Sequence, residues 1–473
     1  MKRSYRIITL LAVLAVLVVA TIAVSRIQQH KEEIKTSEAT VLQIPTEDAV
    51  TLSWTNEGDT LTFSKNDGVW SYDGDSAFPV NQDKVNELLD VFSDFTVAFE
   101  IDNVEDYSQY GLDKPECTIT INAGDQTYEI KIGNYSELDS QRYVSIGDGK
   151  AYLVSADPMD EFGIGLKAMI ADESVPEFTS VASMSFDGDE EYSIVLDEEG
   201  TASYNESDAY FAVIDDTEKP IDLSNYQSYL YSLYGTDLTD YATYNATDEE
   251  VTEYGMDDPE FTITMDYTAE DEDGNEYNDT YVLHVSRDAS HRGTDIEAEE
   301  EEDDTYSTTD EEEAEYTYHA YARVGDSQVI YNLSDSDYES LMDYSYNTMR
   351  YQNLFYTDFD TVEQIDITLD GSSYTINVDD GTYTVDGEEI DITDIQSAIE
   401  DITAEEFTSD AESDKEEISL TFKLTNENHP ELTLTFGRMD GTNCTAEENG
   451  EQIAIVPRSQ VVDLIEAINA VVL

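Results

Sequence analysis

Five histidines, two cysteines and a large excess of carboxylates are the side chains from which this chain could build chemistry. His284 and His319 fall on expected strands, where they could approach across a sheet and, with acidic neighbours, hold zinc. His291 falls in a loop and His429 in a turn, and the H-E-x-x-H spacing that presents two imidazoles on one helix face is absent. No G-x-S-x-G elbow occurs, and no spacing pairs Cys117 with a particular histidine for nucleophilic catalysis. Asp271-Glu272-Asp273-Gly274-Asn275 resembles part of a calcium-binding EF-hand loop. With Gly274 at its turn position, however, the first and last ligands would be Ala269 and Thr280, so both required carboxylates are missing and a polar hairpin is expected. Carboxylate pairs for glycoside hydrolysis are available everywhere among 108 acidic residues, and for that reason none stands out. The 33 tyrosines offer aromatic faces for stacking on sugars, but many alternate along strands, as Tyr316, Tyr318 and Tyr321 do, which is ordinary cross-strand packing. No catalytic residue, cofactor or resident metal is therefore expected, only loose association with cations.

The elements that would carry these residues repeat. Three stretches follow one script of strand, strand, strand and helix: 127–162, 280–342 and 431–465. Before each come alternating strands, such as Thr60-Leu61-Thr62-Phe63 and Val69-Trp70-Ser71-Tyr72 around the hairpin signal Asn66-Asp67-Gly68. A helix is expected to follow, capped by Asn81 and packed through Val85, Leu88, Leu89 and Phe92 in the first case. Asp391 to Ile402 does the same through Ile392, Ile395, Ile399 and Ile402. Two of the three units share a six-residue signature. In the first it is Tyr110, Gly111, Leu112, Asp113, Lys114 and Pro115; in the second, Tyr254, Gly255, Met256, Asp257, Asp258 and Pro259. Its chemistry is structural: a helical turn stopped by a left-handed glycine, an apolar residue folding back, and proline blocking continuation.

This signature, the strand after it, Ile132-Gly133-Asn134, Tyr143-Val144 and Ala151-Tyr152-Leu153-Val154 resemble the uncharacterised bacterial family named domain of unknown function 4340. Trp70 and Phe78-Pro79-Val80-Asn81 fit it too, as does the apolar N-terminus. The resemblance covers Trp54 to Met169 well, recurs more weakly to Arg350 and is faint beyond. It implies a membrane-tethered α+β protein of repeated units, in some members a companion of an ABC-type transport system related to gliding-motility components. It brings no catalytic residues.

Composition bounds the rest. A formal charge of −86, from 108 acidic against 22 basic residues, repels nucleic acid, phosphate-rich ligands and anionic lipid head groups, and excludes nucleic acid as a partner. Salt adaptation and simple solubility both account for such acidity. Cys117 and Cys444 fall in different units and are expected as buried free thiols. The acid-rich run 297–315 cannot bury surface and is expected as a disordered loop protruding from its domain. At the N-terminus Ile7–Val24 carries no charge and follows Lys2, Arg3 and Arg6. At ~1.5 Å per residue it gives roughly 27 Å of helix, against a hydrocarbon core of ~30 Å. A cleaved signal is the rival reading, but Thr21-Ile22-Ala23 is a poor cleavage site; no cysteine follows the run to take a lipid. A retained single-pass anchor with a cytoplasmic N-terminus and an extracytoplasmic body is therefore expected.

The expected fold is thus α+β: an N-terminal transmembrane helix, then three tandem antiparallel sheets with packed helices. The expected division is anchor 1–28, stalk 29–47, repeats 48–172 and 173–355, the second holding the acidic insert 295–315, and a degenerate repeat 356–473. The leading functional expectation is a membrane-tethered, non-catalytic binding or scaffold protein outside the cytoplasm, partnering ABC-type transporter components or other envelope proteins. A glycan-active or glycan-binding envelope protein is the alternative, and a cation-buffering envelope protein a third.

Overall fold

Alternation of apolar and polar residues builds most of this chain. In the computed structural model, which describes residues 39–288, Arg292 and 320–472 apart from positions 57, 103, 139, 272, 380 and 414, antiparallel strands dominate and helices are short. Cys117–Ala123 shows why: its side chains alternate strictly between buried and half-buried, so one face meets the core and the other faces water.

Among the described residues four sheets form, one of them only the pair Ala39–Leu42 with Phe95–Val97. The three large sheets share a strand order. The first runs Val69–Tyr72, Asp59–Asn66, Ala49–Asn56, Cys117–Ala123, Gln126–Ser136, Gln141–Ser145, Ala151–Val154 and Phe99–Ile101. The second includes, in order, Thr217–Pro220, Tyr210–Ile214, Tyr192–Leu196, Ser180–Asp187, Phe261–Glu270, Glu276–Arg287, Ala320–Val324 and Ile330–Leu333. The third begins with Glu388–Glu389, Thr382–Val385, Ser372–Asp379 and Val362–Leu369. It continues through Lys415–Leu424, Glu431–Arg438, Asn443–Glu448 and Glu451–Pro457 to Glu406–Phe407. In each, one meander grows outward from a central strand, a helix follows, and a second meander begins on the other side of that strand.

The central strand carries the same irregularity three times. Its pairing with the next meander slips between Ala49 and Thr51, between Val181 and Ser183, and between Val362 and Gln364. The extra residue, Val50, Ala182 or Glu363, faces solvent. The inward side chains are therefore Ala49, Leu52 and Trp54; Val181, Met184 and Phe186; and Val362, Ile365 and Ile367. A bulge explains the spacing, because one unpaired residue shifts the alternation by one.

Helices cover the sheets with one face each. Asn81 caps Gln82–Asp90 by accepting from the Lys84 amide at 2.9 Å, and Val85, Leu88 and Leu89 are buried. The corresponding Thr393–Glu400 buries Ile395 and Ile399. Around Phe186 the second sheet packs an aromatic core, with Tyr192, Tyr229, Tyr344 and Phe261 at centroid distances of 4.9–6.2 Å.

The chain divides into two compact bodies. Residues up to Asp172, joined by Thr239–Asn245, form the first; Glu173–Leu238 and Ala246 onward form the second, which holds both the second and third large sheets.

The expected α+β fold led by a transmembrane helix is corrected. What folds is mostly antiparallel sheet, in four sheets rather than three, because helical apolar periodicity extends over only a few turns at a time. The longest described helix, Arg458–Val472, spans 15 residues, roughly 22 Å, and buries a single face through Val461, Leu464 and Ile468. No helix among the described residues is long and apolar enough to cross a membrane, so the single-pass anchor and the extracytoplasmic placement built on it are not supported. The apolar run Ile7–Val24, His319, Tyr316, Tyr318 and the acidic run 297–315 lie outside the described residues.

Candidate functional site

The signature residues gather at one place in each of the first two large sheets. Tyr107–Tyr110 is a short 3-10 helix that ends at Gly111, whose φ of 71° is left-handed, and the amide of Leu112 bonds back to the Tyr107 carbonyl at 3.1 Å. The second copy ends at Gly255 with φ 75°, and Met256 bonds back to Val251 at 2.8 Å. Leu112 and Met256 are buried, whereas Asp113 and Asp257 are exposed; Pro115 and Pro259 are half-buried and lead into the next strand. Tyr110 packs on Tyr143 at 4.9 Å and Tyr254 on Tyr321 at 4.6 Å. The turn lies so close to the sheet that a Cβ on Gly133 would sit 2.3 Å from the Tyr110 carbonyl oxygen. In the third sheet, which lacks the signature, Ser413 occupies the space over Gly437.

Beside each of these two turns stands an acid paired with arginine, and the third sheet keeps an acid–arginine cluster without the turn. Glu116 meets Arg142 at 2.5 Å, Glu260 meets Arg287 at 2.8 Å, and Glu417 lies 3.0 Å from both Arg438 and Arg458. Glu116 and Glu260 immediately precede the first strand of the second meander, whereas Glu417 is the displaced residue of a register shift inside Lys415–Leu424, beside Glu416, which pairs with Gly437. Glu260 loses solvent on burial, but hydrogen bonds from Arg287 outweigh that and hold its carboxyl below the usual range. Such ion pairs lock neighbouring strands together.

The residues first considered for chemistry are dispersed. His284 Nδ1 lies 3.0 Å from Thr262 Oγ1 on the neighbouring strand, and burial followed by Arg323 depresses its pKa. His429 packs on Tyr204 at 4.9 Å. Cys117 and Cys444 are buried free thiols, with burial raising both; Cys444, also beside Glu417, is pushed up to about 12. Asp271 turns its carboxylate onto the amides of Asp273 and Asn275 and onto the Asn275 side chain, which closes a polar hairpin. Among the described residues no three His, Cys, Asp or Glu side chains are placed to hold a metal ion.

A small enclosed pocket of about 20 Å³ sits where Arg350 and Glu448 approach in the second body. That is room for a single water. Arg350 stacks on Phe407 at 4.0 Å and on Tyr346 at 5.3 Å; burial raises the Glu448 carboxyl, which Arg350 only partly offsets. This is a joint between the second and third sheets rather than a ligand site.

The surface best suited to binding is on the helix Leu223–Tyr234. Asp222 caps it by accepting from Ser224 at 2.8 Å, and its inner face buries Tyr226, Tyr229 and Leu233. Tyr229 donates to the Leu341 carbonyl at 2.8 Å, so that ring is fixed at both ends. The outer face is uncharged, with large apolar and aromatic side chains beside Ser224, Gln227 and Ser228. Tyr231 is 77% exposed, Tyr234 51% and Leu223 44%. Gln227, Leu230, Tyr231 and Tyr234 line an open groove of about 550 Å³ with Glu177 and Phe178. Its lining holds a single carboxylate, which is half of what glycoside hydrolysis requires. From sequence a helix is expected after the alternating strands of each unit, with residues assigned only in the first and third, so this helix and its outer face were missed. The available signal was a twelve-residue helix with no charged residue, in a chain that is 27% charged.

Comparison with known proteins adds one match. Residues 70–218 fit the model of a family described as a domain of unknown function, DUF4340. That span, Trp70 to Glu218, overlaps the stretch Trp54 to Met169 that carries the resemblance in sequence and extends into its weaker recurrence. No curated protein and no solved structure matches the chain.

Proposed function

We propose, of a chain that belongs to the DUF4340 family through residues 70–218, that it is a non-catalytic binding or scaffold protein whose contact surface is the tyrosine-lined groove on the helix Leu223–Tyr234. The observation that carries this reading is the exposure of Tyr231 and Tyr234 on a helix whose inner face is already fully used. Exposed aromatic surface beside a concave site is typical of recognition surfaces. The partner class proposed is a component of an ABC-type transport system or another envelope protein. Affinity capture with the full chain tests it, using Tyr231→Ser/Tyr234→Ser as the control bait. Selective recovery of such a component by the unmodified chain is expected; equal recovery by both baits counts against the groove.

A glycan-binding reading is favoured by the same rings lying next to Gln227 and Glu177, since aromatic faces with adjacent hydrogen-bonding groups suit a sugar ring. Titration with neutral oligosaccharides separates the two: saturable binding abolished in the double variant would favour the sugar.

A further inference from the structure

We infer that the groove on Leu223–Tyr234 receives a basic amphipathic segment of another polypeptide, an inference that rests on the binding reading above and specifies its ligand. Leu223, Gln227, Leu230, Tyr231 and Tyr234 recur at intervals of three and four residues, which places them along one side of the helix. The corresponding helices of the other two large sheets turn charged residues outward, Asp83, Glu87 and Asp90 in one and Asp394 in the other. The charge-free stripe is therefore particular to the second sheet. Flanking it, Phe178 supplies a further ring and Glu177 a carboxylate at the rim.

Charge decides among occupants. A second copy of this chain would bring one body of −86 against another, and an acidic segment would meet the same repulsion. A cationic segment is drawn in by that field, and its lysine or arginine side chains gain further by lying over the exposed faces of Tyr231 and Tyr234. Its apolar side chains then fill the space between Leu230 and Phe178, in the manner of a helix laid in a groove.

The test uses the full chain and a fluorescently labelled synthetic helical peptide of leucine and lysine, read by anisotropy at ~0.15 M salt. A leucine–glutamate peptide of the same length and a neutral chito-oligosaccharide serve as the competing probes. The lysine peptide is expected to bind, to weaken at least tenfold with Tyr231→Ser/Tyr234→Ser, and to be matched by neither alternative. An affinity unchanged in the double variant would show generic attraction to an acidic surface and overturn the inference, as would absence of binding. Groove-dependent binding of the oligosaccharide, or self-association lost in the double variant, also overturns the basic occupant while leaving a binding role intact. Circular dichroism and calorimetry confirm that the variant is folded, which is expected because both rings are exposed.

Discussion

Gly133 is fixed by what lies above it. A Cβ there would come 2.3 Å from a backbone oxygen of the Tyr110 turn and 3.0 Å from Leu112, and neither can yield without moving the signature. Gly133→Ala should therefore destabilise the first body by about 1–3 kcal/mol, seen as a lowered calorimetric transition. An unchanged transition would mean that the turn does not press on the strand. Two carboxylates predict opposite pH effects. Glu260 is held below its unfolded pKa of about 4.3, so its contribution is present above that value and lost as pH falls through the depressed one. Glu260→Gln should lower stability at pH 7 by about 1–3 kcal/mol and flatten the decline below pH 4. Glu448 is raised by burial, so its ionisation opposes folding once pH exceeds the unfolded value. Glu448→Gln should consequently raise the melting temperature at pH 7 and leave it nearly unchanged at pH 4. A drop at pH 7 would show that Arg350 stabilises the charged form more than burial disfavours it.

The helix Leu223–Tyr234 separates structure from recognition on one short element. Tyr229, buried among aromatic rings and bonded to Leu341, should cost about 3–5 kcal/mol when replaced by alanine. Tyr231, on the outer face, should change stability by less than about 0.5 kcal/mol. Thermal melts of the two single variants check the pair, and a large loss from Tyr231→Ala would mean that its ring is a packing residue. Much at this level was legible beforehand. Alternating strands, the Asn81 cap and the glycine stop at Gly111 announce themselves, because each rests on local chemistry within a few residues. The bulge was harder: Ala49, Leu52 and Trp54 break strict alternation, and only their recurrence as Val181, Met184, Phe186 and as Val362, Ile365, Ile367 marks the break as a device. The groove was harder still. It depends on Glu177 and Phe178 reaching a helix some fifty residues along the chain, which no local pattern encodes.

At the level of the whole chain, 108 acidic residues set against 22 basic ones make self-repulsion a general term in stability. The Debye length falls from ~30 Å at 0.01 M salt to ~3 Å at 1 M, so screening should raise the melting transitions of both bodies steadily across that range. If calcium at equal ionic strength gives a much larger rise than sodium, cations bind at defined places; equal rises point to screening alone. The apolar run Ile7–Val24 lies outside the described residues, and no described helix is long and apolar enough to cross a membrane. Hydropathy reads a segment in isolation, whereas helices such as Arg458–Val472 owe their apolar residues to a sheet beneath them.

The displaced residue in each central strand has a genetic consequence. Removing Val50, Ala182 or Glu363 would let the backbone ladder run uninterrupted, and Ala49, Val181 or Val362 would then stand two residues before Leu52, Met184 or Ile365, the spacing that keeps both on the inner face. Each would keep its buried place opposite Ala123, Tyr267 or Leu424. A one-codon deletion of the displaced residue should therefore be gentle, whereas deleting Ser53, Ser185 or Asp366 from the regular part of the same strand should turn the residues before it to the wrong face and be as damaging as a charged substitution in the interior.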